Sequence, residues 1–296
     1  MPGMAYARVN GVEICHESIG DPADPTALLV MGLGGQMTSW DVDFCRALAD
    51  RGLHVVRYDN RDVGLSTHLD GRVDLMAVMA AVGAGEAVEV PYLLSDMAAD
   101  AVGLLDHLGV DRAHVVGASM GGMIAQTMAI EHRDRVRSLT SIMSTTGDHD
   151  VGQATAEAMG VLLAKPAADR AAAEDAQVLH AHTWGSPDHI DEDRVRRRAG
   201  ELWERDHDPA GTARQMAAIV ASGSRTPHLR TLNVPTLVIH GTEDRLVQPS
   251  GGERTAEVIP DAKLVLVEGM GHDLPPALWP QLVEAIVGHI AENPGD

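Results

Sequence analysis

The chain opens on two stretches in which apolar and polar residues alternate, Ala5–Val9 and Val12–Ile19, joined by Asn10-Gly11. Asn-Gly accepts the positive φ values of a tight turn, so this pattern predicts a β-hairpin. Short apolar runs then recur along the chain, and each run predicts a strand that is buried on both faces, as in a parallel sheet. These runs are Ala27–Met31, His54–Tyr58, Ala113–Gly117, Val136–Met143, Pro235–His240 and Ala262–Val267.

Amphipathic segments separate most of these runs and predict helices. They are Trp40–Arg51, Leu94–Leu108, Met120–Glu131 and, at the end, Leu278–Ala291. Strands that alternate with helices indicate βαβ units, and therefore a mostly parallel central sheet with helices on both faces. The fold class that the pattern predicts is α/β.

One long segment, residues 145–228, lacks any strand pattern and is rich in Ala, Glu, Asp and Arg. Its periodicity predicts helices over Ala154–Ala164, Asp169–His182, Glu192–Glu204 and Thr212–Ala221. We interpret it as a helical cap inserted into an α/β core formed by residues 1–144 and 229–296. The alternative is that these helices only pack against the core and do not contact a functional site.

Charge and cysteine content narrow the class of partner. The 296 residues include 23 basic and 43 acidic side chains, a formal net charge of −20. Such a charge repels phosphate backbones and anionic lipid surfaces, which argues against nucleic-acid and membrane partners and favours a neutral small molecule. Cys15 and Cys45 are too few for a disulfide framework, so a reducing, cytoplasmic setting is expected. Neither they nor the histidines form a pattern of metal ligands.

A candidate nucleophile lies between a predicted strand and a predicted helix, in Gly117-Ala118-Ser119-Met120-Gly121. This is the Gly-x-Ser-x-Gly pattern, in which glycines two residues before and after the serine leave room for a sharp turn. Such a turn strains the serine backbone and exposes its hydroxyl at the carboxyl end of the strand. The alternative is a glycine-rich turn with an idle serine.

A serine hydroxyl needs a general base, and the base needs an orienting group. Asp244 follows the strand that ends at His240, and His272 follows the strand that ends at Val267. Both therefore lie at the same edge of the predicted sheet as Ser119, in the chain order Ser, acid, His. Glu243 and Asp148 are the alternative acids.

The tetrahedral oxyanion of an acyl transfer needs two backbone donors. Met120 opens the helix after the serine, and Leu33 lies in the glycine-rich loop Gly32–Gly35 after the first central strand. We predict that their amides form the oxyanion hole, although that loop could also be a simple turn. Met79, Trp184 and Trp203 are predicted to contact the substrate, because the stretch Leu75–Val90 and the insertion offer apolar surface. Met79 could equally be a packing residue.

Four segments together resemble the α/β-hydrolase superfamily: Val30–Met37, Arg57–Ser66, His114–Met123 and Gly269–His272. More narrowly they are similar to actinobacterial carboxylesterases of the lipase-G type and to the aclacinomycin methylesterase group. The resemblance implies the α/β-hydrolase fold, a catalytic triad of Ser119, Asp244 and His272, oxyanion donors at Leu33 and Met120, and no cofactor. One departure is Met31, which stands where many relatives have a histidine.

The function hypothesis is a serine esterase or lactonase that acts through an acyl-enzyme on neutral, fairly hydrophobic esters, polyketide-type methyl esters or macrolactones among them. A second hypothesis is other serine-triad chemistry, namely C–C bond hydrolysis or perhydrolysis. A third is a non-catalytic protein of this fold that only binds a ligand. The substrate groups and the oligomeric state are left open by the sequence.

Overall fold

The chain begins with the predicted hairpin. The computed structural model describes residues 4–294, and within them β1 (Met4–Val9) and β2 (Val12–Ile19) pair antiparallel with Val9 opposite Val12. Asn10 and Gly11 both have positive φ, 47° and 78°. These values are those of a two-residue turn that matches the twist of its strands.

The central sheet has eight strands in the order β1-β2-β4-β3-β5-β6-β7-β8. Strand β2 also pairs antiparallel with β4, and from β4 to β8 all neighbours are parallel. The mostly parallel α/β sheet is therefore confirmed. The strands after the hairpin are β3 (Thr26–Val30), β4 (His54–Tyr58), β5 (Ala113–Ala118), β6 (Val136–Ile142), β7 (Thr236–Gly241) and β8 (Lys263–Val267).

Helices cover both faces of the sheet. In chain order they are α1 (Val42–Ala49), α2 (Leu75–Gly83), α3 (Leu94–Leu108), α4 (Met120–Glu131), α5 (Ala156–Leu162), α6 (Arg170–Trp184), α7 (Glu192–Arg205), α8 (Pro209–Ser222), α9 (Thr226–Leu229), α10 (Ser250–Val258) and α11 (Trp279–Glu292). Apolar side chains of α1 and α11 pack on one face, and those of α3 and α4 pack on the other. Each layer removes a continuous apolar surface from water, which is the main force that holds the elements together.

The segment between β6 and β7 is helical, and its residues 143–235, all of which the structure describes, contain no strand. Four of its five α-helices are preceded by an N-cap residue. The side-chain oxygen of that residue accepts a backbone N–H of the first turn, which stabilises the start of the helix. These capping residues are Thr155, Asp169, Asp191 and Asp208. Helix α9 runs across the boundary predicted at residue 228.

The sequence pattern does not predict three of the helices, α2, α9 and α10. Among residues 4–294, no helix is long and apolar enough to cross a bilayer.

Candidate active site

Ser119 stands at a strained turn between β5 and α4. Its φ is 57° and its ψ is −121°, a conformation that non-glycine residues rarely adopt. A Cβ at Gly117 would lie 2.1 Å from the Gly121 carbonyl oxygen, and a Cβ at Gly121 would lie 2.0 Å from the Val30 carbonyl oxygen. Neighbouring backbone atoms therefore leave no room for a side chain at either position. This is the steric reason for the two glycines of the Gly-x-Ser-x-Gly pattern.

The three side chains predicted to act together form a hydrogen-bonded chain in which His272 contacts both Asp244 and Ser119. His272 Nδ1 is 2.7 Å from Asp244 Oδ2, and His272 Nε2 is 2.9 Å from Ser119 Oγ. A carboxylate only accepts, so Nδ1 carries the proton, and Nε2 of the neutral ring is left to accept the hydroxyl proton of Ser119. The residues follow β5, β7 and β8 at the carboxyl edge of the sheet.

Asp244 is buried, and both of its carboxylate oxygens accept hydrogen bonds. Its Oδ1 accepts the amides of Leu246 and Val247, each at 2.9 Å. Burial raises the pKa of Asp244, but the electrostatic interaction with His272 and the hydrogen bonds from His240 and His272 outweigh burial and lower the pKa to about 2. The group is therefore ionised at neutral pH, as an acceptor for His272 Nδ1–H must be.

The two alternative acids lie elsewhere. The Glu243 side chain is exposed, and its amide donates to the Met270 carbonyl. The Asp148 carboxylate accepts from Ser224, Thr226 and Arg254. Neither carboxylate contacts His272, and Asp244 is the acid that the fold brings to the histidine.

The loop that carries His272 is fastened to the insertion. The His272 amide donates to the Trp184 carbonyl at 2.6 Å, and the Gly271 amide donates to Ser186 Oγ at 2.9 Å. Ser186 in turn donates through its amide to Asp273 Oδ1 at 3.0 Å. These contacts join residues 85 to 88 positions apart in the chain, so no local sequence pattern predicts them.

The segments that carry the predicted oxyanion donors, Leu33 and Met120, lie beside Ser119. A Cβ at Gly32 would be 3.0 Å from Ser119 Cβ, so the loop that contains Leu33 passes against the serine. Within residues 4–294 the Leu33 amide donates no hydrogen bond. Met120 is the first residue of α4, where amides have no partner inside the helix and the helix dipole favours negative charge.

The residues predicted to contact the substrate separate into two places. A cavity of about 380 Å³ lies where the insertion meets the core, and Met79 lines it together with Met123, Met159 and Met216. Met123 lies one helical turn from Ser119, to whose carbonyl it donates. Trp184 and Trp203 do not line this cavity. Trp184 stacks on His180, and Trp203 stacks on His207 beside a smaller cavity of about 140 Å³.

The polar loop after β4 ties the core to the insertion. Asp59 pairs with Arg205 on α7 at 2.6 Å, and Asp62 pairs with Arg214 on α8 at 2.9 Å. Both arginines belong to inserted helices, so these buried ion pairs join the core to the insertion.

One group within residues 4–294 approaches the geometry of a metal site. Ligand atoms of Asp62, His68 and Asp208 lie within 4.8 Å of one another. Arg214 donates to both carboxylates, so a guanidinium already supplies the positive charge that a metal ion would bring. This donor set fits a buried ion-pair network better than a cation site.

Comparison with known proteins shows which family this chain belongs to. The family model described as α/β hydrolase fold matches residues 25–275, and the chain belongs to this family. It is 30% identical to the rhodomycin D methylesterase DauP of Streptomyces sp. (strain C5), covering 94% of this chain and 95% of the relative. The counterpart DnrP of Streptomyces peucetius is 29% identical, with the same coverage.

Among solved structures, the enol-lactonase of Burkholderia xenovorans LB400 superposes with a TM-score of 0.74 at 25% identity, covering 97% of this chain and all of that one. The fold and the family resemblance expected from the sequence are thus both confirmed.

Proposed function

We propose that this chain is a serine carboxylesterase in which Ser119, His272 and Asp244 are the catalytic triad. The observation that supports the proposal is the continuous hydrogen-bond chain from Asp244 through His272 to a serine on a strained strand–helix turn. A nucleophile, a base and an orienting carboxylate in this geometry are what acyl transfer to a serine requires.

In the proposed mechanism His272 Nε2 takes the Ser119 proton while Oγ attacks the ester carbonyl. The Leu33 and Met120 amides donate to the developing oxyanion. His272 then protonates the leaving alcohol, and Asp244 stabilises the imidazolium. Water, deprotonated by the same histidine, hydrolyses the acyl-enzyme and restores Ser119.

The substrate we propose is a neutral, fairly hydrophobic ester, with methyl esters of large ring systems as the first candidates. Three observations support it: the methionine-lined cavity beside α4, the net charge of −20, and relatives named as rhodomycin D methylesterases. Methionine side chains are flexible and polarisable, and they adapt to bulky apolar groups. We propose residues 145–228 as the cap over this cavity, and Met79 as a substrate contact. Trp184 is assigned instead to support of the His272 loop, through its carbonyl.

The deciding experiment compares wild type with Ser119→Ala. A fluorophosphonate probe should label the wild type and not the variant, and kcat on a p-nitrophenyl ester should fall by about 10⁴-fold or more. Ser95→Ala, at the start of α3, is the matched control and should behave as wild type. Turnover by Ser119→Ala at the wild-type rate would refute the assignment.

The same preparation separates the esterase from the other hypotheses. A C–C hydrolase would be labelled by the probe but would prefer a vinylogous diketone over every ester in a panel. A perhydrolase would need hydrogen peroxide for its main product. A ligand-binding protein would show labelling without turnover on any of these substrates.

A further inference from the structure

One buried side chain of the insertion reaches the loop that carries Leu33. Gln215 on α8 has no exposed surface, and its Oε1 accepts the Gly34 amide at 2.8 Å. Its Nε2 donates to the Arg61 carbonyl at 2.8 Å. A single side chain thus bonds two core loops, one after β3 and one after β4.

The loop after β3 has little support of its own. Its internal bond is a turn from the Gly35 amide to the Gly32 carbonyl at 3.1 Å, and Gly34 lies in the left-handed region with φ of 63°. Met31, at its start, has a thioether side chain with no N–H or O–H to donate. A glycine-rich segment of this kind has many accessible conformations, so a fixed amide direction needs an outside partner.

Helix α8 also approaches this loop closely. A Cβ at Gly34 would lie 3.1 Å from Thr212 Oγ1, one turn before Gln215 on the same helix. The Gly34 amide is therefore held at a short, packed contact. The Gly34 amide and the Leu33 carbonyl belong to the same peptide plane. The hydrogen bond to Gln215 therefore restrains the backbone on the C-terminal side of Leu33. On the N-terminal side, the Leu33 amide donates to no described residue.

We propose that Gln215 is a positioning residue for the oxyanion hole: by binding the Gly34 amide it directs the Leu33 amide toward the site where the oxyanion forms. The inference rests on the proposed esterase function. It makes the insertion part of the catalytic apparatus, because a helix that encloses the substrate cavity also sets the donor geometry.

The test compares two variants at this position. Gln215→Met has similar volume and removes both hydrogen bonds. Gln215→Glu keeps the acceptor for the Gly34 amide, and its second oxygen replaces the NH₂ group that donates to the Arg61 carbonyl. Loss of a whole oxyanion donor costs about 10²–10³ in kcat, so displacement of one should lower kcat of Gln215→Met by about 10- to 100-fold. KM should change little, and Gln215→Glu should retain most of the activity.

A second readout reports the oxyanion hole directly. A trifluoromethyl ketone analogue of the best ester adds to Ser119 and places a tetrahedral oxyanion at the two amides. Its inhibition constant should weaken in Gln215→Met in proportion to kcat, because both depend on the same donors. Tyr92→Phe is the matched control, since it removes one buried hydrogen bond from the neighbouring Asp62 and does not reach the loop after β3.

Each result of these measurements either supports or overturns the positioning role of Gln215. The proposal is overturned if Gln215→Met matches Tyr92→Phe in kcat and ketone affinity, if only KM changes, or if Gln215→Glu loses as much as Gln215→Met. Gln215→Asn, one methylene shorter, replaces the Met variant if that one does not fold. A wild type that neither hydrolyses esters nor takes the fluorophosphonate probe overturns the proposed function, whereas an active wild type with an equally active Gln215→Met overturns the positioning role alone.

Discussion

At the scale of single residues, Ser119 depends on neighbours that have no side chain. The carbonyl oxygens of Gly121 and Val30 occupy the positions that side chains at 117 and 121 would need. The Ser119 backbone conformation is strained, and such strain persists only where the surroundings enforce it. The Gly-x-Ser-x-Gly pattern therefore records a packing requirement, which is why it could be recognised before the fold was known.

The first prediction at this scale concerns Gly121→Ala. Its added Cβ would meet a backbone oxygen at 2.0 Å, so either α4 or β3 must shift. We expect a loss of about 2 kcal/mol or more in the free energy of unfolding, measured by urea titration, together with loss of esterase turnover.

The matched control is Gly288→Ala in the middle of α11, where an added Cβ has open space around it. That variant should gain about 0.5–1 kcal/mol, since alanine favours a helix over glycine. Equal effects of the two substitutions would contradict the packing argument.

At the scale of elements, the positions of strands were predicted well and the contacts of helices were not. The strand His54–Tyr58 and the helices Leu94–Leu108 and Met120–Glu131 have the predicted bounds. Buried parallel strands and amphipathic helices both leave a local periodic signal. The three residues of the proposed triad could be located for the same reason, because each lies within five residues of a strand end.

Two of the three helices that the sequence did not predict, α2 and α10, have weak local signals. Helix α2 is apolar on nearly every side, so it shows no helical periodicity. Helix α10 begins Ser250-Gly251-Gly252, which resembles a loop, yet a Cβ at Gly252 would lie 2.4 Å from His240 Nδ1. Close packing selected glycine there, and tertiary structure outweighed propensity.

Contacts between the insertion and the core could not be predicted from the sequence either. Arg205, Arg214 and Gln215 lie on amphipathic helices whose inward face could be inferred, but their partners at Asp59, Asp62 and Gly34 lie more than 140 residues away. Periodicity identifies a buried face and gives no information about which atom it meets.

The prediction at this scale concerns the ion pair between Arg214 and Asp62. Both side chains are buried, and Arg214 donates to both carboxylate oxygens of Asp62 at 2.9 Å. Arg214→Met should lower the free energy of unfolding by about 3–5 kcal/mol, because it leaves a buried carboxylate without its cation.

Urea titration of the wild type and three variants checks this prediction. The double variant Arg214→Met with Asp62→Asn should recover part of the loss, since the unpaired charge is gone. Arg196→Met, which removes an exposed ion pair with Asp175, should have little effect. A loss in Arg214→Met no larger than in Arg196→Met would show that the buried pair contributes nothing beyond an exposed one.

At the scale of the whole molecule, the cavity exists because two parts of the chain meet. Its methionines come from α2 and α4 on one side and from α5 and α8 of the insertion on the other. The same inserted segment binds the His272 loop through Trp184 and the loop after β3 through Gln215. Under the proposed function, one set of helices would therefore couple substrate binding to catalytic geometry. The cytoplasmic, cofactor-free setting expected from the sequence stays a prediction.

If the cavity receives the bulky part of the substrate, reducing its volume should change substrate choice more than catalysis. Met159→Trp on α5 adds a large ring at the cavity wall. We expect kcat/KM for a methyl ester of a polycyclic aromatic acid to fall by about tenfold or more, since forcing extra volume into packed space costs about 1–3 kcal/mol. Hydrolysis of p-nitrophenyl acetate, which needs none of that space, should change by less than about twofold.

Met76→Trp is the matched control, because the Met76 side chain on α2 is 68% exposed and does not line the cavity. This variant should hydrolyse both substrates at the wild-type rate. A parallel loss on acetate and on the bulky ester in Met159→Trp would mean that the ring disturbs Ser119 or its partners rather than the binding space. An unchanged rate on the bulky ester would place its large group outside this cavity, and the smaller cavity beside Trp203 would then be the next place to test.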